Sequence, residues 1–169
     1  MKHWLWLSLF VLALDQATKW SILALMKPFE PVEVLPHINL TLMFNEGAAF
    51  SFLSTAGGWQ RWLFSGLALV VSLVLVGWLL RLKPHEKVQA AGLALLIGGA
   101  LGNLIDRVLL GHVIDFIQVY IPVIPLAIFN PWPAFNVADS AITLGVAALF
   151  WIFLVEDLRQ GRASRDATP

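Results

Sequence analysis

Polar residues interrupt the apolar pattern at few places, and the interruptions leave four stretches near the roughly 20 helical residues a bilayer requires. Residues 4–25 are apolar around Asp15 and Lys19, Trp62–Leu80 lies uncharged between Arg61 and Arg81, and Val88–Ile105 carries no charge. From Ala134 to Val155 every residue except Asn136, Asp139, Ser140 and Thr143 is hydrophobic or glycine. The pattern predicts transmembrane helices over about 4–25, 62–80, 88–105 and 134–155. A signal peptide competes for the first, with Lys2 before the apolar Trp4–Leu14. No small-x-small cleavage site follows, and the apolar pattern resumes at Trp20, so an uncleaved helix is expected.

Between these stretches the periodicity changes. Pro28, Pro31 and Pro36 exclude a helix after the first span. Over His37–Asn45, Ile38, Leu40, Leu42 and Phe44 alternate with Asn39, Thr41, Met43 and Asn45. Period two with β-branched and aromatic residues predicts a strand. Asn45–Gly47 reads as a turn and Ala48–Leu53 as a further apolar piece, so a short sheet on the membrane surface is expected. In residues 106–133, Gly111–Ile117 reads as a short interfacial helix, and the prolines at 122, 125, 131 and 133 keep the remainder of that segment irregular. Pro133 suits the first turn of the last helix, where its missing N–H is harmless.

Charge orients the array. Lys2, the turn 81–87 and the tail 156–169 hold seven of the eleven Lys and Arg residues. With four spans these lie on one side, which the positive-inside rule makes cytoplasmic, so both termini are in. Segments 27–60 and 106–133 then face outward. The expected fold is therefore one membrane α-helical domain, residues 1–169, with a small extracytoplasmic β-containing subdomain. Composition agrees: 59% of residues are hydrophobic and 13% charged, and the mean hydropathy is +0.77. A net charge of zero offers no footprint for nucleic acid. The absence of cysteine excludes disulfides, thiolate metal sites and cysteine nucleophiles.

On this topology the polar residues gather at the outer side. Asn103, Asp106 and Arg107 end the third span, Asp115 follows, Asn136 and Asp139 open the fourth, and Asn45 ends the strand. Asp139 lies only roughly 7–8 Å below Ala134 at 1.5 Å per residue. Two carboxylates in one low-dielectric site do not both ionise cheaply and share a proton. Such a pair offers a general base and a general acid for attack of water on an amide. Asp115 and Asp139 are the candidates.

Simpler readings stand beside that one. Asp106 and Arg107 read most simply as an ion pair, Asp115 as a solvated acid, Asn136 as a helix cap, and Asp139 as a counter-charge to Arg107. Asp15 and Lys19, four apart, read as a packing pair whose charges offset each other. A small ion-coupled carrier would also use an intramembrane Asp139, although the residue is shallow and no inverted repeat or broken central helix is visible. Ser51, Ser54, Ser140 and Thr143 lack a His or Lys base at matching depth. His112 and Asp115 supply two ligands at helical i, i+3 spacing, but no HExxH or similar motif exists, so no metal is expected.

Five motifs in sequence order make the chain resemble the lipoprotein signal peptidases (signal peptidase II), membrane aspartyl proteases of bacterial lipoprotein maturation. They are Asp15-Gln-Ala-Thr-Lys19, Asn45-Glu-Gly-Ala-Ala-Phe-Ser51, Gly98-Gly-Ala-Leu-Gly-Asn-Leu-Ile-Asp-Arg107, His112-Val-Ile-Asp-Phe-Ile117 and Phe135-Asn-Val-Ala-Asp139. The resemblance implies Asp115 and Asp139 as catalytic dyad, with Asn45, Asn103, Arg107 and Asn136 lining the site and Asp15 and Lys19 supporting it. It implies diacylglyceryl-modified prolipoproteins as substrates, cut just before the lipidated cysteine, and no metal or cofactor. A monomer among membrane lipids is expected, in the bacterial cytoplasmic (inner) membrane, and the charge-derived topology has its site facing the outer leaflet. Residues 118–133 match no motif, which leaves the rim of the site undefined.

Overall fold

The structure is a computed structural model that describes residues 1–47, 57–122 and 130–166. The expected apolar piece Ala48–Leu53, together with Ser51 and Ser54, lies outside the described residues, as does the part of the irregular segment over 123–129.

Four helices carry the fold. A short 3-10 turn, Lys2–Trp4, leads into α1, Leu5–Leu25. Then come α2, Trp59–Arg81, α3, Lys87–Leu109, and α4, Val137–Asp166. All four are long and apolar enough to cross a membrane, α4 over Val137–Val155. The helix continues beyond that span to Asp166 because Glu156–Arg165 is rich in good helix formers such as Leu, Arg, Gln and Ala.

The helix faces invert the soluble pattern. Leu73, Val74, Phe150 and Phe153 are exposed, whereas Ser8, Asp15, Lys19, Gln60, Asn103 and Asp106 are buried. Helix α3 is the central one, packing against each of the other three. Its glycines permit this. A Cβ on Gly102 would stand 2.5 Å from Asp15 Oδ2, and one on Gly99 would collide with the carbonyl oxygen of Ala138. Small residues at helix contacts let backbones approach where apolar burial drives nothing, lipid being as apolar as leucine. Leu79, Ala90, Leu93 and Ile97 form the core between α2 and α3.

Beside the helices lies a three-stranded antiparallel sheet of order β1-β2-β3, with β1 Val32–Leu35, β2 Ile38–Asn45 and β3 Val113–Val119. The predicted strand is β2. Strands β1 and β2 are joined through Pro36-His37, where His37 has φ 68°. Proline followed by a positive-φ residue is the pattern of a type II turn. Leu42, Ile114 and Phe116 pack on Ile22, Leu23 and Met26, fastening the sheet to the end of α1. Burying side chains of this size is worth about 2 kcal/mol each.

The expected interfacial helix at Gly111–Ile117 is not formed: Val113–Val119 is strand β3. Val113 through Phe116 are all buried, because one face meets α1 and the other the polar site. A strand covered on both faces reads as a continuous apolar run, and periodicity alone cannot tell it from a short helix.

Candidate active site

The start of α4 follows from local chemistry. Asn136, fully buried, accepts the Asp139 N–H on Oδ1 at 2.9 Å, and the Asn136 N–H donates to Asp139 Oδ2 at 3.3 Å. This is a reciprocal capping arrangement that satisfies two helix-end donors. It also fixes Asp139 in the first turn, where the helix dipole favours an anion. The cap reading of Asn136 is therefore correct, and the same residue does more. Its Nδ2 donates to Asp115 Oδ1 at 2.7 Å, to Asn103 Oδ1 at 3.1 Å and to the Ile114 carbonyl at 3.2 Å.

Asp115 is brought there by the sheet. In the β2–β3 register Met43 faces Asp115 and Asn45 faces Val113. Asn45 is thus diagonal to Asp115 on the same face, within reach of a polar side chain. Its Nδ2 donates to Asp115 Oδ2 at 3.0 Å. Asp115 is only 3% exposed. Burial pushes its carboxyl up to about 7, the neighbouring Asp139 charge adds to the rise, and the Asn45 hydrogen bond, the Lys19 charge and the Asn136 hydrogen bond oppose it. Asp115 is consequently no solvated surface acid.

Behind the two carboxylates is a buried ionic layer whose pairing differs from the one expected along the sequence. The expected Asp106–Arg107 ion pair is absent, since adjacent helical side chains do not face one another. Asp106 instead bonds Lys19 Nζ at 2.8 Å, and Lys19 also meets Asp15 at 2.9 Å. Asp106 further accepts the Ile114 N–H at 3.1 Å and Gln16 Nε2 at 2.8 Å. Asp15 Oδ1 accepts the Ala138 N–H at 2.8 Å. The Asp15–Lys19 pair thus ties α1 to α3 and α4. Gln16 was missed from sequence; its place three residues before Lys19, on one helical face, was the available signal.

Asn103 joins the layers. Its Oδ1 accepts Lys19 Nζ at 2.8 Å and its Nδ2 donates to Asp139 Oδ1 at 2.8 Å. Arg107 lies on the rim, donating to the Gly47 carbonyl at 2.9 Å with its guanidinium 5.5 Å from the Phe64 ring centroid. All eight residues singled out from sequence therefore fall in one locality.

The site opens into a cleft of roughly 890 Å³, lined among others by Met43, Asn45, Asn103, Arg107, Asp115, Trp132, Phe135, Asp139 and Leu144. Residues 131–135, of which the motifs left 131–133 undefined, supply one wall. His112 stands apart, its ring 4.6 Å from that of Phe44, and burial lowers its basicity. The two-ligand spacing of His112 and Asp115 assumed a helix, whereas Asp115 lies in strand β3 and His112 just ahead of it. Among the described residues no group of three or more metal-ligating side chains occurs.

The same chain pattern occurs in known proteins. Residues 7–155 match the family profile described as Signal peptidase (SPase) II. The lipoprotein signal peptidase of Acinetobacter baylyi is 48% identical over 161 residues, 95% of this chain and 87% of that protein. That of Pseudomonas fluorescens is 49% identical over 166 residues, 96% of this chain and 93% of that protein. A solved bacterial membrane enzyme superposes with a TM-score of 0.79 at 34% identity, covering 94% of this chain and 90% of its own.

Proposed function

The chain belongs to the signal peptidase II family, and from that premise we propose that it is an aspartyl endopeptidase removing signal peptides from diacylglyceryl-modified prolipoproteins. Cleavage falls just before the lipidated cysteine. One observation carries the reading: two aspartates line one cleft, and the more buried of them is held protonated up to about pH 7.

The environment of Asp115 supports a division of roles. Asp139, at the start of α4, is the base: it takes a proton from water as the water oxygen attacks the scissile carbonyl carbon. Asp115, the carboxylic acid, donates its proton to the carbonyl oxygen, leaving a neutral tetrahedral diol. As the C–N bond breaks, Asp139 returns its proton to the departing nitrogen and Asp115 recovers one from a diol hydroxyl. Both carboxyl groups end as they began. The asparagine amides of residues 45, 103 and 136 hold the two side chains in place, which supports catalysis by pre-oriented groups. No cofactor enters these steps.

The protein is a multi-pass membrane protein. We place both termini in the cytoplasm and the cleft at the outer leaflet of the bacterial inner membrane, with a monomer as the working unit. Spans over about 4–25, 62–80, 88–105 and 134–155 then leave the sheet outside, where a substrate helix gains the cleft laterally while its acyl chains stay in lipid. The test is incubation of purified protein with a diacylated prolipoprotein. Wild type should release the signal peptide, and Asp115→Asn and Asp139→Asn, though folded, should not. Cleavage by either variant at the wild-type rate would remove the dyad, and ion-dependent uptake into vesicles without a cleaved product would favour the carrier.

A further inference from the structure

Lys19 is a fully buried cation that the reaction scheme does not use. An ammonium has three protons to donate and no acceptor. All three directions are engaged: Asp15 Oδ2 at 2.9 Å, Asp106 Oδ2 at 2.8 Å and Asn103 Oδ1 at 2.8 Å. The third contact acts on the second aspartate. A carboxamide has an oxygen end and a nitrogen end of nearly equal size, and only its partners decide which way it lies. Next to an ammonium only the oxygen fits, and Asn136 Nδ2 donates to the same oxygen at a longer 3.1 Å. The Asn103 nitrogen is thereby turned toward Asp139 Oδ1, 2.8 Å away. In the opposite orientation the amide oxygen would face the carboxylate and the NH₂ would face the cation, leaving two repulsive contacts in a buried site.

The place of the cation is itself fixed from both dyad-bearing elements. Asp106 accepts the backbone N–H of Ile114, next to Asp115, and Asp15 accepts that of Ala138, next to Asp139. We propose that Lys19 is a positioning residue of the reaction, which holds the Asn103 amide in the single orientation that donates to Asp139. The proposal deepens, and rests on, the reading of Asp115 and Asp139 as the catalytic pair. Among the described residues, the charged groups facing that pair are Lys19 from α1 and Arg107 from α3, besides each aspartate itself.

The obvious variant, Lys19→Met, leaves Asp15 and Asp106 buried and unpaired and risks misfolding. The triple variant Asp15→Asn/Lys19→Met/Asp106→Asn removes the cation without stranding a charge, and its amides can still accept the two backbone N–H groups. Both are compared with wild type, Asp115→Asn and Asp139→Asn on a synthetic peptide bearing a diacylglyceryl-modified cysteine. Loss of a hydrogen bond to a charged group predicts a fall in kcat of about tenfold or more, with KM within about twofold. The melting temperature of the triple variant should stay near wild type. Where Lys19→Met folds, the alkaline limb of its pH profile should move upward, because the cation no longer favours the ionised Asp115. A folded triple variant with wild-type kcat overturns the proposal, as does a loss confined to KM. A triple variant that fails to fold overturns it too, since the buried charges would then serve stability. If the two aspartate variants are themselves active, the dyad falls and this inference with it; with those variants dead, failure touches Lys19 alone.

Discussion

Replacing Asn45 by alanine should extend activity to higher pH. Asn45 is half-exposed at the end of β2, and its amide donates to Asp115 Oδ2 at 3.0 Å. Among the contacts that oppose the rise in the Asp115 carboxyl, this one is the largest. A hydrogen bond to a charged group contributes about 1.5–3 kcal/mol. Solvent at a half-exposed side chain argues for the low end, and about 1.4 kcal/mol corresponds to one pH unit. Asp115 must hold its proton to act as the acid, so a higher proton affinity keeps the enzyme competent further into the alkaline range. The alkaline limb of kcat/KM, which reports the free enzyme, should move from near 7 in wild type to near 8. Normalised to its plateau, kcat/KM at pH 8 should rise from about one tenth to about one half, roughly fivefold. The assay is cleavage of a diacylated peptide between pH 5 and 9, initial rates being taken below KM. A limb that stays where it was, or moves to lower pH, would refute the assignment of Asp115 as the acid and of Asn45 as the donor that tunes it.

The same geometry sets two further outcomes. Asp115 should make the fold more stable as pH falls. Its carboxyl rises from the ordinary 3.8 to about 7 on folding, so between those values the folded chain holds a proton that the unfolded chain loses. The stabilisation is complete below about 3.8 and gone above about 7. Thermal unfolding in detergent should show it as a pH-dependent difference between wild type and Asp115→Asn, which is flat if Asp115 is not buried. At the helix contacts, Gly99→Ala would drive a methyl against the Ala138 carbonyl and to 2.8 Å from Ile142 Cγ1. It should lower stability by about 1–3 kcal/mol and reduce cleavage. Gly77→Ala, with nothing within 4 Å of the added carbon, should leave cleavage unchanged and stability equal or up to about 1 kcal/mol higher. Equal effects from both glycines in a denaturation series would contradict the close approach of α3 to α4.

Elements whose cause is local could be read along the chain. Four long apolar runs can satisfy their backbone in lipid only as helices, so their number and approximate place were legible. The alternation at Ile38–Asn45 marked β2, and Asn136 marked the start of α4; Pro133, expected in the first turn, lies ahead of it, since the helix begins only at Val137 behind the Asn136 cap. Motif order brought Asp115 and Asp139 together, as well as the three asparagines. Tertiary structure alone decided what depends on non-neighbours. Strand β3 has no alternation because α1 covers one of its faces and the site the other, so its apolar run passed for a short helix. Asp106 lies next to Arg107 in sequence, yet its partner is Lys19, 87 residues away; helix geometry turns adjacent side chains apart, and the α1–α3 contact supplies the cation. The orientation of Asn103 likewise depends on non-neighbours, its oxygen taking hydrogen bonds from the Lys19 ammonium of α1 and the Asn136 amide, and no pattern along the chain could have revealed it.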